Sequence, residues 1–460
     1  MAGVVIDNGF TADIDVDCLI IGGGAAGLTA ALAAKERGLD VLVAEREDRL
    51  SGSTALSSGL IPAAQTNAQN RQHFDDEHDV FIADIMAKNK HKADADHVRR
   101  CVENVSKTID WLEENHEIPF HVLDGFLYPG HTRYRMHAVP EVTGVALINR
   151  LEEAAIKHDI LISCNLKVTD LVLSDGGQIK GAKAIRPDGT VETIGASSII
   201  LACNGYGGSP DLVAKHIPEM KDALYFGHAG NQGEAILWGE DLGAELQHLS
   251  GYQGHGSVAH PHGVLVTWAL MMEGGIQVNI HGQRFSNEHE GYSEQAVNVL
   301  NQPQQTAFNI FDERLLQMGR EFEDFRNAEM SKAVITADTL EDLAGKLGLP
   351  INNLAKTIDD CADHAASGAP DSFGRKFDLD KCLKPPFAAV KVTGALFHTQ
   401  GGLAIDDHAR VLKKDGTPID GLFASGGAAC GVSGPDVSGY LSGNGLLTAL
   451  SLGFIAGNNA

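Results

Sequence analysis

Gly22-x-Gly24-x-x-Gly27 and the acid Glu45 form the first group of residues whose types and spacing could do chemistry. An apolar run, Cys18–Ile21, leads into the glycines, and a helical stretch to Arg37 follows. Gly38 breaks that helix, and a second apolar run, Val41–Ala44, ends on Glu45. Strand, tight turn, helix, strand is the order that holds a dinucleotide. The first glycine permits the turn, the second lets backbone approach a pyrophosphate, and the third lets helix and strand pack closely. The phosphates would sit on helix N–H groups that have no partner within the helix. Glu45 lies about 20 residues past the glycines, where a carboxylate accepts ribose hydroxyls. The bland alternative is a glycine-rich loop in some other α/β protein, and the flanking strands and the acid count against it. Histidines gather later in the chain, at His228, His248, His255, His260, His262, His281 and His289. A metal site at His260-x-His262 is disfavoured, because the pair is too close for a helical ligand set and lacks an evident acid partner. No metal is expected.

The elements that must position such a site need a large core. A length of 460 residues suggests two to four domains, and 43% hydrophobic content is ordinary for a soluble protein. A net charge of −25 repels nucleic acid and anionic membrane, and excludes both as partners. The apolar runs fall short of the ~20 residues that span a bilayer, so no membrane insertion is expected. The first charges are Asp7, Asp13, Asp15 and Asp17, which does not fit a secretory signal. Seven cysteines are scattered without a CxxC, which argues against a disulfide framework, a cluster or a c-type haem. A reducing cytoplasm fits that usage.

Apolar residues at helical spacing predict helices within 75–118 and over 143–156. Residues 160–202 read as strands with turns at Asp175-Gly176-Gly177 and Pro187-Asp188-Gly189. The closing strand opens into Cys203-Asn204-Gly205-Tyr206-Gly207-Gly208, again suggesting backbone beside a cofactor. Composition changes over 223–376, where a histidine-rich stretch precedes a charged helical region, and strand and glycine return afterwards. The expected organisation is α/β. A Rossmann-like nucleotide-binding domain, 1–222 and 377–460, is interrupted by an α+β capping domain at 223–376. Leu446–Ala456 reads as an apolar terminal helix.

The opening glycines, Ala202–Gly208, Gly401-Gly402-x-x-x-Asp406 and Gly421-Leu422-Phe423-Ala424-Ser425-Gly426 together resemble one arrangement. It is that of the flavoproteins grouping fumarate reductase and succinate dehydrogenase subunits with 3-ketosteroid dehydrogenases. The resemblance covers nearly the whole chain and implies FAD, an active site between the two domains, and oxidoreductase chemistry on a CH–CH bond. It implies cofactor contacts at Gly22, Gly24, Ala25, Ala26, Gly27, Glu45 and Arg46 around the ADP part, with Val168 at the adenine. Further contacts are implied at Ser53, Thr54, Ala202, Asn204, Gly205 and Gly426. Asn444, Leu446 and Leu447 would lie at the pyrimidine end of the flavin, below the terminal helix. Some members carry FAD on a histidine in the Ser51–Ser58 motif. None occurs there in this chain, so non-covalent FAD is expected. Ser425-Gly426-Gly427 stands where the family often has Ala-Gly-Glu, so a ribityl carboxylate is missing.

His398 in His398-Thr399-Gln400-Gly401-Gly402 matches the substrate-binding histidine of fumarate reductases, and His255 roughly matches a second one. The fumarate pattern then needs two arginines. One should follow Gly282-Gln283-Arg284-Phe285-Ser286-Asn287-Glu288, yet no arginine occurs between Arg284 and Arg314. The other should precede the terminal Gly443-Asn444, where Tyr440 stands instead, as in the ketosteroid-type members. Tyrosine is neutral at pH 7, with a reference pKa near 10, and suits a ketone oxygen; a bidentate arginine suits a carboxylate. Tyr292 and Tyr252 are candidates for proton transfer. Arg133, Arg135 and His137 would hold a remote carboxylate or be surface charges. Tyr440 also fits a core aromatic, and His398 and His255 also fit buried structural histidines.

The leading expectation is therefore a FAD-dependent dehydrogenase forming a C=C bond next to a carbonyl, acting on a small-molecule carbonyl compound. The electron acceptor is left open. The alternatives are a fumarate-reductase-like enoate reductase, running the same step backwards, and a non-catalytic flavin-binding protein.

Overall fold

Cys18–Ile21 lies in the middle of a large sheet, which is why four consecutive apolar residues are needed there: a strand covered on both faces has no polar side. The structure, a computed structural model, describes residues 3–125 and 127–460. Strands β1 (Gly3–Ile6) and β2 (Ile14–Ile21) precede helix α1 (Ala25–Glu36) and strand β3 (Val41–Ala44). A long helix α2 (Ala95–His116) is followed by β4 (Leu161–Ser163), β5 (Lys167–Leu173), β6 (Ile179–Ile185) and β7 (Val191–Leu201). The sheet order is β1-β5-β6-β7-β2-β3-β4. Pairing is parallel for β7 with β2, β2 with β3 and β3 with β4, with Leu201 opposite Ile21 and Ile21 opposite Ala44. β5–β6 and β6–β7 are antiparallel hairpins, as the Asp-Gly turns require.

The chain divides into two compact units. The first comprises Met1–Pro218, Gly227–Tyr252 and His398–Ala460; the second comprises Glu219–Phe226 and Gln253–Phe397. In the first unit, strand β11 (Pro418–Ala424) joins β7 in parallel at Ile199–Leu201, where β6 has already left it. The last helix, α4 (Asn444–Asn459), packs on α1. α1 is alanine-rich and buried from Ala25 to Ala34, so it fits a two-sided slot. The two helices approach closely because α4 presents glycines. A Cβ on Gly453 would lie 2.5 Å from the Ala26 oxygen, and one on Gly457 2.2 Å from the Ala30 oxygen. Gly457→Val must push the helices apart, with an expected loss of about 1–3 kcal/mol from overpacking. Thermal unfolding of the variant measures this directly.

The second unit is built on a mixed sheet. Its strands are β8 (Tyr252–Ala259), β9 (Thr306–Asp312) and β10 (Phe387–Thr399), with β10 between β8 and β9; Tyr252 at the start of β8 and His398–Thr399 at the end of β10 are counted with the first unit. β9 and β10 run antiparallel from Thr306 opposite Thr393 to Asp312 opposite Phe387. Helix α3 (Tyr292–Leu300) precedes β9. The charged region after Asp312 is helical, with helices at Glu313–Gly319, Glu323–Met330, Leu340–Leu347 and Ile351–Ser367 and one short strand, Val334–Ala337, among them. All seven cysteines are free thiols. Among the described residues, no helix is long and apolar enough to cross a membrane.

Candidate active site

The glycine-rich end of the first unit begins where β2 stops. Gly22 has φ +108°, a conformation that disfavours any side chain, and a Cβ there would lie 2.6 Å from the Ala202 oxygen at the end of β7. A Cβ on Gly27 would lie 1.9 Å from the Gly22 oxygen. Strand end, loop and helix start are thus in backbone contact. Glu45 accepts the Gly23 N–H at 2.9 Å on one oxygen and the Glu47 N–H at 3.0 Å on the other. The carboxylate braces the glycine loop, and its remaining lone pairs are what a ribose could use. Thr54 Oγ1 accepts the Ala25 N–H at 3.0 Å, so it caps α1 and satisfies one first-turn amide itself.

The neighbouring expected contacts are already networked. Arg46 donates to Glu234 and, at 2.8 Å, to the Gly230 oxygen. Ser53 Oγ receives Asn204 Nδ2 at 2.9 Å and Asn231 Nδ2 at 3.0 Å. Asn204 sits in the left-handed region at φ +65°, and its Oδ1 accepts the Gly205 N–H at 2.8 Å. The Ala202 N–H continues the β2 ladder to the Ile21 oxygen. Val168 is buried in β5, and the β5–β6 register is irregular between Val168 and Asp170. Asn231 and Glu234 belong to no motif, which is why the sequence did not single them out.

At the other end, Gly443 adopts φ +87° and starts α4, placing Asn444, Leu446 and Leu447 in its first turn. Gly426 also has positive φ, +56°, with the Ala26 methyl 3.0 Å from where its Cβ would stand. Two buried polar atoms here have no hydrogen-bond partner, Ser425 Oγ and Asn444 Oδ1. Buried and unpaired, such atoms cost stability unless a bound group satisfies them. The side-chain-free glycine turns, two helix N-termini and these unpaired groups, all within one unit, fit FAD.

His398 and Tyr440 meet in the same unit, their ring centroids 5.5 Å apart and edge to face. Burial lowers the His398 pKa to about 4, so the imidazole is neutral at physiological pH. Tyr440 is almost fully buried. Tyr252, at the start of β8, is fully buried. In the second unit His255 stacks on Tyr292 at 4.8 Å and on Phe397 at 5.2 Å, with Trp268 edge-on at 5.8 Å. The His255 Nδ1 accepts the Ser257 N–H at 3.2 Å, which leaves the proton on Nε2. Burial lowers its pKa to about 3. Tyr292 is the first residue of α3. Both histidines are therefore neutral.

The arginines are committed elsewhere. Arg284 is tied to Glu288 at 2.6 Å and to Asp371, as a structural ion pair. Arg135 is neither a surface charge nor a free carboxylate ligand. It is fully buried between Asp76 at 2.9 Å and Asp84 at 2.8 Å, over the Phe81 ring. His137 is also buried, with its Nε2 2.6 Å from Thr66 Oγ1. Arg133 is exposed and donates to the Thr132 oxygen.

The sequence pattern of a family described as "FAD binding domain" matches residues 17–446. The chain belongs to this FAD-binding family. A probable fumarate reductase of Shewanella frigidimarina is 31% identical over 446 residues, 96% of this chain and 74% of that protein. The open conformation of a flavocytochrome c3 fumarate reductase superposes with a TM-score of 0.82 at 30% identity, covering 97% of this chain and 78% of that one. A 3-ketosteroid-Δ4-(5α)-dehydrogenase from Rhodococcus jostii RHA1, in complex with 4-androstene-3,17-dione, gives a TM-score of 0.79 at 26% identity, covering 100% and 99%. Fold and cofactor agree with what the glycine motifs implied. The protein is an FAD-dependent oxidoreductase of the fumarate reductase and ketosteroid dehydrogenase family, acting on CH–CH groups.

Proposed function

We propose that this oxidoreductase removes two hydrogens from a saturated carbonyl compound, forming a C=C bond next to the carbonyl. The observation that carries the reading is the pairing of Tyr440 with His398 at 5.5 Å, two neutral donors in one place. Tyr440 occupies the position where the fumarate pattern puts an arginine, and residues 285–313 contain no lysine or arginine. Neutral donors suit a ketone oxygen, while a dicarboxylate asks for charge-assisted, bidentate contacts.

FAD, when bound, would supply the two-electron acceptor for a hydride from the carbon β to the carbonyl. The residues of the chain handle the rest. The Tyr440 hydroxyl and the His398 imidazole hold the carbonyl oxygen and stabilise the negative charge that grows on it as the α proton leaves. Tyr252, Tyr292 and His255 are the proposed carriers of that proton. Gly22, Gly24, Ala25, Ala26, Gly27, Glu45, Arg46, Ser53, Thr54, Val168, Ala202, Asn204, Gly205, Gly426, Asn444, Leu446 and Leu447 are the proposed cofactor residues.

A second reading, reduction of an enoate, is favoured by the similarity to the probable fumarate reductase and by the His398-Thr399-Gln400-Gly401-Gly402 motif. Anaerobic mixing separates the two. Saturated cyclic ketones and ketosteroids should bleach the yellow enzyme. If none does, and fumarate or another enoate re-oxidises the reduced enzyme, the reductase reading replaces the dehydrogenase one. The flavin is proposed to be non-covalent because Ser51–Ser58 holds no histidine. Acid precipitation should then release it into the supernatant; a pellet that stays yellow contradicts the proposal.

A further inference from the structure

Behind His398 lies a row of buried side chains, Gln400, Ser433 and Asn444, whose connection to one another no sequence motif announced. Asn444 Nδ2 donates to Ser433 Oγ at 2.9 Å. Ser433 Oγ donates to Gln400 Oε1 at 2.6 Å. Gln400 Nε2 stands 3.0 Å from His398 Nδ1. Ser433, Gln400 and Asn444 are 1%, 5% and 0% exposed, so water does not compete for these bonds. The Gln400 backbone is held at both ends, donating to the Gly251 oxygen and accepting the Gly431 N–H, each at 2.8 Å.

We propose that Asn444, Ser433 and Gln400 form a one-way hydrogen-bond relay that fixes His398 as its Nε2–H tautomer, presenting a neutral donor to the substrate carbonyl. The proposal rests on the reading of His398 as a substrate anchor. The direction follows from counting protons. Ser433 Oγ receives the Asn444 amide, so its own single proton goes to Gln400 Oε1. The Gln400 carbonyl is then occupied, and its NH2 faces the imidazole. Nδ1 must accept, which leaves the proton on Nε2. A competing arrangement would place a proton on Nδ1 toward the Thr399 oxygen, but that contact is longer, at 3.3 Å. The lowered pKa of His398 agrees with an imidazole held neutral by its surroundings. The far end of the relay is the Asn444 Oδ1 atom, buried and unpaired. A donor bound there would lock the Asn444 amide in the orientation the relay needs. Gly445 gives the ring room, since a Cβ there would stand 3.1 Å from His398 Nε2. These are positioning residues, acting through His398.

Nitrogen NMR of protein with 15N-labelled histidine tests the relay without turnover, in the flavin-loaded and flavin-free protein. The His398 signal is identified by its loss in His398→Ala. The expected wild-type pattern is a protonated Nε2 and a bare Nδ1. Gln400→Glu presents a carboxylate that must accept, and is expected to move the proton to Nδ1 or to hold the ring as imidazolium to higher pH. Ser433→Ala should give a mixture of tautomers and cost about tenfold in turnover, the low end of what losing the outer partner of a metal-bound histidine costs. Ser433→Thr keeps the hydroxyl and should restore both. A wild-type signal with Nδ1 protonated, or one that Gln400→Glu leaves unchanged, overturns the relay. If the tautomer follows these expectations while His398→Ala turns over normally, the relay stands and the substrate-anchor reading fails.

Discussion

Replacing Tyr440 by phenylalanine is expected to lower turnover on the order of 10²- to 10³-fold while FAD stays bound. That is the size of effect seen when one preorganised donor to a developing oxyanion is removed. The ring is almost fully buried and meets His398 edge to face, so Phe keeps the packing and deletes only the hydroxyl. The loss should fall mainly on kcat, because charge on the carbonyl oxygen grows as the proton leaves and is small in the bound ketone. The visible spectrum of the variant controls for cofactor binding. His398→Ala is the companion variant, and the double variant should lose less than the sum of the two, since both groups act on one oxygen. Near-normal turnover in Tyr440→Phe would remove the tyrosine from the chemistry and leave it as a core aromatic.

Glu288→Gln should cost the second unit about 3–5 kcal/mol, the usual effect of removing one partner from a buried ion pair. Glu288 is 1% exposed and receives Arg284 at 2.6 Å and Arg375 at 2.8 Å. Arg375 also donates to the Gly275 oxygen, and both guanidinium groups lie over the Phe377 ring. Burial works to raise the pKa of Glu288, but Arg375 and Arg284 outweigh it and hold it at about 2. The folded value therefore lies below the ordinary 4.5. Its contribution to stability is complete above that ordinary value and is lost as pH falls from there toward 2. Denaturant unfolding at neutral pH should show the full deficit of the variant, and the gap to wild type should narrow on acidification. A variant as stable as wild type at neutral pH would mean that the two arginines find water or other acceptors.

The βαβ unit was legible because its signals are local: two apolar strands, three glycines and an acid within thirty residues of chain. The hairpin turns at Asp175–Gly177 and Pro187–Gly189 were legible for the same reason. The terminal helix was read as Leu446–Ala456 and runs Asn444–Asn459, because polar residues at its ends carry no periodicity. The contacts behind His398 and Ser53 were not legible. Ser433 and Gln400 are 33 positions apart, and Asn231 reaches Ser53 across 178. A hydrogen bond between distant serine, asparagine and glutamine side chains leaves no spacing in the sequence to find. Arg135 misled for a related reason. Beside Arg133 and His137 it reads as part of a basic cluster, and only the fold reveals Asp76 and Asp84 next to it.

The central claim is that a hydride leaves the carbon β to a carbonyl while a proton leaves the α carbon. Anaerobic single-turnover bleaching of the enzyme by a saturated ketone, compared with the same ketone deuterated at the β carbon, tests it most directly. Slower bleaching is expected with the deuterated ketone, together with a product that has lost one β deuterium and one α hydrogen and contains a new C=C bond. Bleaching at the same rate with no unsaturated product, or no bleaching by any carbonyl compound, would contradict it.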